Sequence, residues 1–227
     1  MKVSINKSSI DFLKKLSKNN NRDWFNANKD QYEVAKENIE AFADALLFEM
    51  SKHDHIETQS GKKSMYRIYK DVRFSKDKTP YATYWGGSFK RATKQLRGGY
   101  YYHIEDGNTF LIGGFWGPNS SDLQRIRQDI HLNQDEWRRI LTSKSFIGTF
   151  EKLRGKQLTS SPRGYSSDHE AIDLLRHKQF LIKHSFTNQD LYSPDFIKKV
   201  NQVFKKMRPF FDHMSEILTT DSNGKSL

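Results

Sequence analysis

Hydrophobic residues recur every three or four positions toward both ends of the chain and alternate in its middle. From Lys29 to about Ser51 the apolar positions Tyr32, Ala35, Ile39, Phe42, Ala43, Leu46, Leu47 and Met50 make one stripe. That spacing predicts a long amphipathic helix with a single buried face. A shorter stripe, Ile10, Leu13 and Leu16, predicts a helix that Ser8 or Ser9 can cap and that Asn19-Asn20-Asn21 ends. Asp23-Trp24-Phe25 begins another helical stretch, and His53 to Lys63, polar and holding Gly61, reads as a loop. Leu123, Ile126 and Ile130 follow Pro118-Asn119-Ser120-Ser121, and Trp137, Ile140 and Leu141 follow Asn133, which predicts two more helices with capping residues in place. Leu153 to Tyr165 is loop-like, and Asp168 is placed to cap a helix from His169 to Arg176. Ser193-Pro194 combines a capping hydroxyl with a first-turn proline. The helix it opens turns Phe196, Ile197, Val200, Val203, Phe204 and Met207 inward until Pro209 breaks it, and a second piece runs from Phe210 to about Leu218.

Strand signals fall between these helices. Thr83–Phe89, Tyr100–Ile104, Thr109–Ile112 and Phe180–Ile182 are rich in β-formers. Asp106-Gly107 separates the second and third runs, a strong hairpin signal. Gly113-Gly114 beside Phe115-Trp116 marks a bulge or a close backbone approach. Tyr101 and His103 share one face of their strand by the period of two, so they can line a pocket or simply form a half-exposed sheet face. Trp24, Trp116 and Trp137 are expected in the core. The elements together predict an α+β fold: one domain over residues 1–218, a mostly antiparallel central sheet with helices packed on it, and long helices near both ends. Residues 219–227 are polar and expected to be a disordered tail.

Composition narrows the class. A chain of 227 residues without cysteine has no disulfide scaffold, no thiol nucleophile and no Cys-ligated metal. No apolar run reaches the roughly 18 residues of a membrane span, and the start of the chain lacks the apolar stretch of a secretory signal, so a cytoplasmic protein without membrane partner is expected. No phosphate-binding glycine loop, nucleophile elbow or zinc-binding helix motif occurs, and neither a metal nor a cofactor is expected.

Charge adds the first functional hint. Lys and Arg number 38 against 27 Asp and Glu. Most of the excess lies between Gly61 and Tyr100, where eleven basic residues meet only Asp71 and Asp77 and are interleaved with eight aromatics. Such a pattern suits an anionic partner with flat rings, a nucleotide or a single strand, and equally a solvated sheet face whose lysines blunt an edge strand. Within it, Arg67 to Tyr81 alternates cations and acids closely. Asp71 and Asp77 can pin neighbouring cations, and a pinned arginine presents its fork ready for phosphate or carboxylate. The same alternation also builds a salt-bridge network that anchors a loop.

The run Arg67-x-x-Lys70-Asp71-x-Arg73-Phe74-x-x-x-Asp77-Lys78-x-x-Tyr81, with Pro80, resembles the signature of a bacterial family, the domain of unknown function (DUF) 2461 family. Asn21-Arg22-Asp23-Trp24-Phe25, the stretch from Gly98-Gly99-Tyr100 to Gly113-Gly114-Phe115-Trp116, and Pro162-Arg163-Gly164-Tyr165 with Asp168-His169 and Leu174-Leu175-Arg176-x-Lys178 resemble its other blocks. Nearly the whole chain is covered. Lys70 departs from the family's usual arginine: the charge stays and the bidentate fork is lost. The resemblance implies one domain and a bacterial source, and it implies no reaction.

Three readings follow. In the first, Arg67, Arg73, Lys78, Tyr81, Arg163, Arg176 and Lys178 line a pocket for a small phosphorylated or carboxylated ligand. An enzymatic version would use Asp71, Tyr81 or His169 to move protons. In the second, the basic 61–100 segment binds nucleic acid. In the third, the charged motifs are internal salt bridges of a structural or protein-interaction domain. The interspersed acids favour the pocket, because Asp71 and Asp77 would repel a phosphate backbone.

Overall fold

The computed structural model of the chain describes residues 3–92, 96–220 and 225. The helical N-terminal part comprises α1 (Lys7–Lys18), α2 (Arg22–Ala27), α3 (Lys29–Met50) and α4 (Gly61–Ser64). Three strands follow: β1 (Trp85–Lys90), β2 (Gly99–Ile104) and β3 (Thr109–Phe115). Then come α5 (Ser120–Leu132), α6 (Gln134–Leu141), α7 (Lys144–Phe150), α8 (Ile172–Leu175) and β4 (Phe180–Phe186). The chain closes with α9 (Asn188–Leu191), α10 (Phe196–Lys206) and α11 (Arg208–Thr219). The four strands form one antiparallel sheet in the order β1-β2-β3-β4, so the class is α+β. No helix among the described residues is long and apolar enough to cross a membrane.

The chain divides into two compact units, one of residues 1–89, 101–111 and 185–202, the other of residues 90–100, 112–184 and 203–227. In the first unit the buried stripe of α3 does what its periodicity predicts: Ile39, Phe42, Ala43, Leu46 and Met50 are all buried. Phe42 stacks on Phe196 of α10 and meets Tyr102 of β2 edge-on. Trp85 joins Phe12 and Tyr32 and donates its indole N–H to the Ser9 carbonyl. In the second unit Tyr100 packs between Phe204 and Phe211, and Trp137 against Phe180 and Phe210.

Several boundaries differ from the periodicity, each for a local reason. α1 starts at Lys7, and Ser9 is a buried residue inside it rather than its cap. The Asn38 side chain accepts from the Asn6 backbone N–H and the Ser9 hydroxyl, which fixes the earlier start. Asp168 caps nothing: only Ile172–Leu175 is helical there, with Ala171 at the N-cap, whose N–H is taken by the His169 ring. The helix expected from Ser193-Pro194 begins two residues later, at Phe196. Pro209 ends it as expected by opening α11 in its first turn. Strand β1 starts at Trp85 rather than Thr83, while β3 and β4 run three and four residues further than their β-rich cores. The loop expected at His53–Lys63 holds the start of a short helix, α4, and the stretch after Leu141, for which the pattern predicts no element, holds another, α7; each is capped by a serine hydroxyl. Trp137 is in the core, whereas Trp24 is half-buried and Trp116 exposed. Most of the expected 219–227 tail lies outside the described residues.

Candidate functional site

The charged motif is a hairpin-like excursion from the edge of β1. Met65 bridges to Gly87 and Tyr69 to Tyr81, and three backbone bonds, Tyr66 to Gly86, Lys70 to Pro80 and Ala82 to Ile68, hold its arms together. Its base is anchored on the loop between α1 and α2. The Asn20 amide grips Tyr81 on both sides, donating to its carbonyl at 2.9 Å and accepting from its N–H at 3.1 Å. The Tyr81 ring is buried, stacked on Phe25 at 4.0 Å between centroids with 12° between planes. Burial pushes its hydroxyl pKa up. Pro80 pre-sets the turn into this anchor.

At the tip, acids and bases pair within the motif. Asp71 takes the Nε and Nη2 edge of Arg73 at 3.0 and 2.7 Å. Asp77 accepts from Lys70 Nζ at 2.6 Å and from the N–H and hydroxyl of Thr79. Lys78 folds back on the carbonyls of Val72 and Arg73. The Arg73 bond and, more weakly, the nearby Arg67 hold the Asp71 carboxyl below its usual range, and the Lys70 bond does the same for Asp77. Ion pairs this exposed contribute little stability, so their main effect is to fix geometry. They hold cations in place between aromatics that stay in solvent: Tyr66 is 53% exposed, Tyr69 54% and Phe74 95%.

The other sequence candidates fall in both units. Arg67 is exposed in the first unit, whereas Arg163, His169, Arg176 and Lys178 belong to the second. Arg163 and Lys178 are exposed, and Arg176 is half-buried with its Nε buried and without a hydrogen bond. His169 is engaged on both ring nitrogens, by the Ala171 N–H and by His131 at 2.8 Å. Two cations of the basic segment are spent internally in the second unit. The Arg91 side chain is fully buried, bonded to Asp212, Ser215 and the Arg97 carbonyl, and Arg97 pairs with Asp122. Lys94 lies outside the described residues. Two cavities, of about 370 Å³ beside α1 and α3 and about 380 Å³ among α6, α7 and α11, include no residue of the hairpin in their lining. Among the described residues no group of three or more His, Asp or Glu side chains is placed to hold a metal ion.

A second polar arrangement in the first unit lies on the face shared by Tyr101 and His103. The Tyr101 hydroxyl is 3.0 Å from His103 Nδ1, and His103 Nε2 is 3.1 Å from the Glu105 carboxylate. The imidazole is stacked between Tyr84 at 4.3 Å and Phe110 at 4.4 Å. Glu105 is positioned by the Asp106-Gly107 turn, where Asn108 donates to its carboxylate and Thr109 bonds its backbone on both sides. Tyr66 stacks on Tyr101, joining this face to the hairpin. Sequence reading pairs Tyr101 with His103 and stops there. The same period of two carries on to Glu105, the last residue before the turn.

A family model described as Conserved hypothetical protein (DUF2461) matches residues 8–213. No curated protein and no solved structure matches the chain.

Proposed function

The chain belongs to the DUF2461 family, and from its own surface we propose that it binds an anionic ligand carrying a flat ring, a nucleotide or a short single strand, on the 65–82 hairpin. One observation carries this reading. Of the eight large hydrophobic side chains exposed among the described residues, three, Tyr66, Tyr69 and Phe74, fall in nine residues of this hairpin. Exposed aromatics clustered in one short segment mark contact surfaces, and these alternate with oriented cations. Arg73, with one edge fixed by Asp71, offers Nη1 to a phosphate; Arg67 supplies a second charge, and the rings supply stacking. The acids then act as positioning groups. They lower affinity for a bare polyanion and favour a ligand that places one phosphate in register. Tyr81 and Lys78 support the scaffold in this reading, through the Phe25 stack and the tip carbonyls.

Calorimetric titration with uridine 5′-monophosphate tests it. Arg73→Ala should weaken binding by one to two orders of magnitude, since a charge-assisted contact contributes about 1.5–3 kcal/mol. Lys90→Ala, at the exposed end of β1, should change affinity less than about twofold. Equal losses from both variants, with affinity falling steeply with salt, would replace the oriented hairpin by a diffuse electrostatic surface.

A further inference from the structure

We propose that Tyr101, His103 and Glu105 form a second subsite on the sheet face, which takes a carbonyl oxygen of a planar ring lying against Tyr66 and takes up one proton as it does so. Where the hairpin's ligand is a nucleotide, the subsite would receive its base and so deepens that reading, but its geometry stands apart from the hairpin's charges.

The direction of each hydrogen bond carries the argument. An ionised Glu105 can only accept, so His103 Nε2 carries a proton toward it at 3.1 Å. With His103 neutral, Nδ1 is then a lone pair, and the Tyr101 hydroxyl spends its single proton on it at 3.0 Å. Burial raises the Tyr101 pKa, so the phenol keeps that proton. In this state Tyr101 turns only lone pairs outward and cannot serve an oxygen acceptor. When His103 gains a proton at Nδ1, the bond reverses. Nδ1–H donates to the phenol oxygen, and the Tyr101 proton swings toward a ligand oxygen. The incoming proton comes from solvent and stays on the imidazole, so no other group changes its charge.

The surroundings favour that exchange. The Glu105 carboxylate, held by Asn108, faces the ring nitrogen that remains protonated in both states. The faces of Tyr84 and Phe110 lie over the two sides of the imidazole, where an imidazolium is stabilised by the ring quadrupoles. Tyr66, stacked on Tyr101 and half in solvent, and Tyr102, the next residue of β2, are further titratable neighbours of the phenol. The floor is Gly86: a Cβ there would stand 3.2 Å from the Tyr101 hydroxyl and 3.1 Å from the Tyr84 ring. The residue with no side chain thus lets both rings close on the strand backbone, which fixes the position of the phenol.

The test follows the His103 ring by nuclear magnetic resonance in the full chain labelled at histidine. The probes are uridine, which has ring carbonyls and no phosphate, and inorganic phosphate, which has the reverse. Saturating uridine should raise the His103 titration midpoint by about half a pH unit or more, equivalent to about threefold tighter binding to the protonated form. Phosphate should leave the midpoint unchanged. Tyr101→Phe should abolish the uridine-induced rise, and Glu105→Gln should lower the midpoint in the free protein. No uridine-induced change at His103, or a rise that survives in Tyr101→Phe, would overturn the proposal. The two sites fail separately. A uridine effect that persists while Arg73→Ala leaves uridine 5′-monophosphate affinity unchanged would sink the hairpin reading alone. Arg73-dependent nucleotide binding with a silent His103 would sink the subsite alone.

Discussion

Gly114→Ala is expected to abolish folding. Gly114 sits in β3 at φ +138°, a backbone conformation that L side chains rarely adopt. A Cβ there would come within 2.1 Å of the Phe180 carbonyl oxygen and 3.0 Å of the Leu181 Cα. Both obstacles are backbone of β4, the neighbouring strand, so no rotamer change relieves them. Relief would need β3 and β4 to separate, which costs the bonds between them. The loss should exceed about 4 kcal/mol, visible as insoluble protein or loss of the circular dichroism signal at ambient temperature. Gly107 is the control. It also has positive φ, at +71°, but nothing lies within 4 Å of its would-be Cβ. Gly107→Ala should therefore cost only the conformational penalty, about 1–2 kcal/mol. Similar behaviour of the two variants would show that the β3–β4 approach is looser than described.

Arg91→Ala should be the most damaging change at a charged position of the second unit. The guanidinium is buried without exposed side-chain area and bonded to Asp212 at 2.7 Å, the Arg97 carbonyl at 3.1 Å and Ser215 at 3.2 Å. It also lies over Phe211 at 5.5 Å. Removing it leaves a cavity and takes a charge-assisted donor from Asp212 and from the part-buried Arg97 carbonyl, together about 3 kcal/mol. Arg91→Lys should recover little, because an ammonium cannot span three partners in a plane. Asp212→Asn should cost less, since that carboxylate is about half exposed and shared with Arg208. Urea unfolding of the three variants ranks them. An Arg91→Ala loss below about 0.5 kcal/mol would mean that the network is incidental.

These two residues also mark where sequence reading succeeds and where it stops. Gly113-Gly114 signals a bulge or a close approach, and of the two it is the close approach that the Gly114 contact with β4 backbone shows. Arg91 gives no such signal. It stands in a run of cations that looks uniformly solvated, and its side-chain partners Asp212 and Ser215 lie more than a hundred residues away in α11. Long amphipathic stripes such as that of α3 are legible because burial repeats along them. Short helices such as α7 and α9 escape, because four to seven residues carry too little period and depend on caps: Ser143 for α7, and the reciprocal Thr187–Asp190 box for α9. In the hairpin, the pairing of Asp71 and Asp77 with cations of their own motif follows from the alternation of charge. The burial of Tyr81 does not, since it depends on Asn20 and Phe25 from a distant part of the chain.

The oriented hairpin is tested most directly by titrating uridine 5′-monophosphate into the ¹⁵N-labelled chain and mapping the amide shifts. The account predicts saturable perturbations concentrated on residues 65–82, strongest around Arg67 and Arg73, with Tyr66 and Tyr101 moving with them. Saturable shifts confined to other parts of the chain, or none at all, would contradict it.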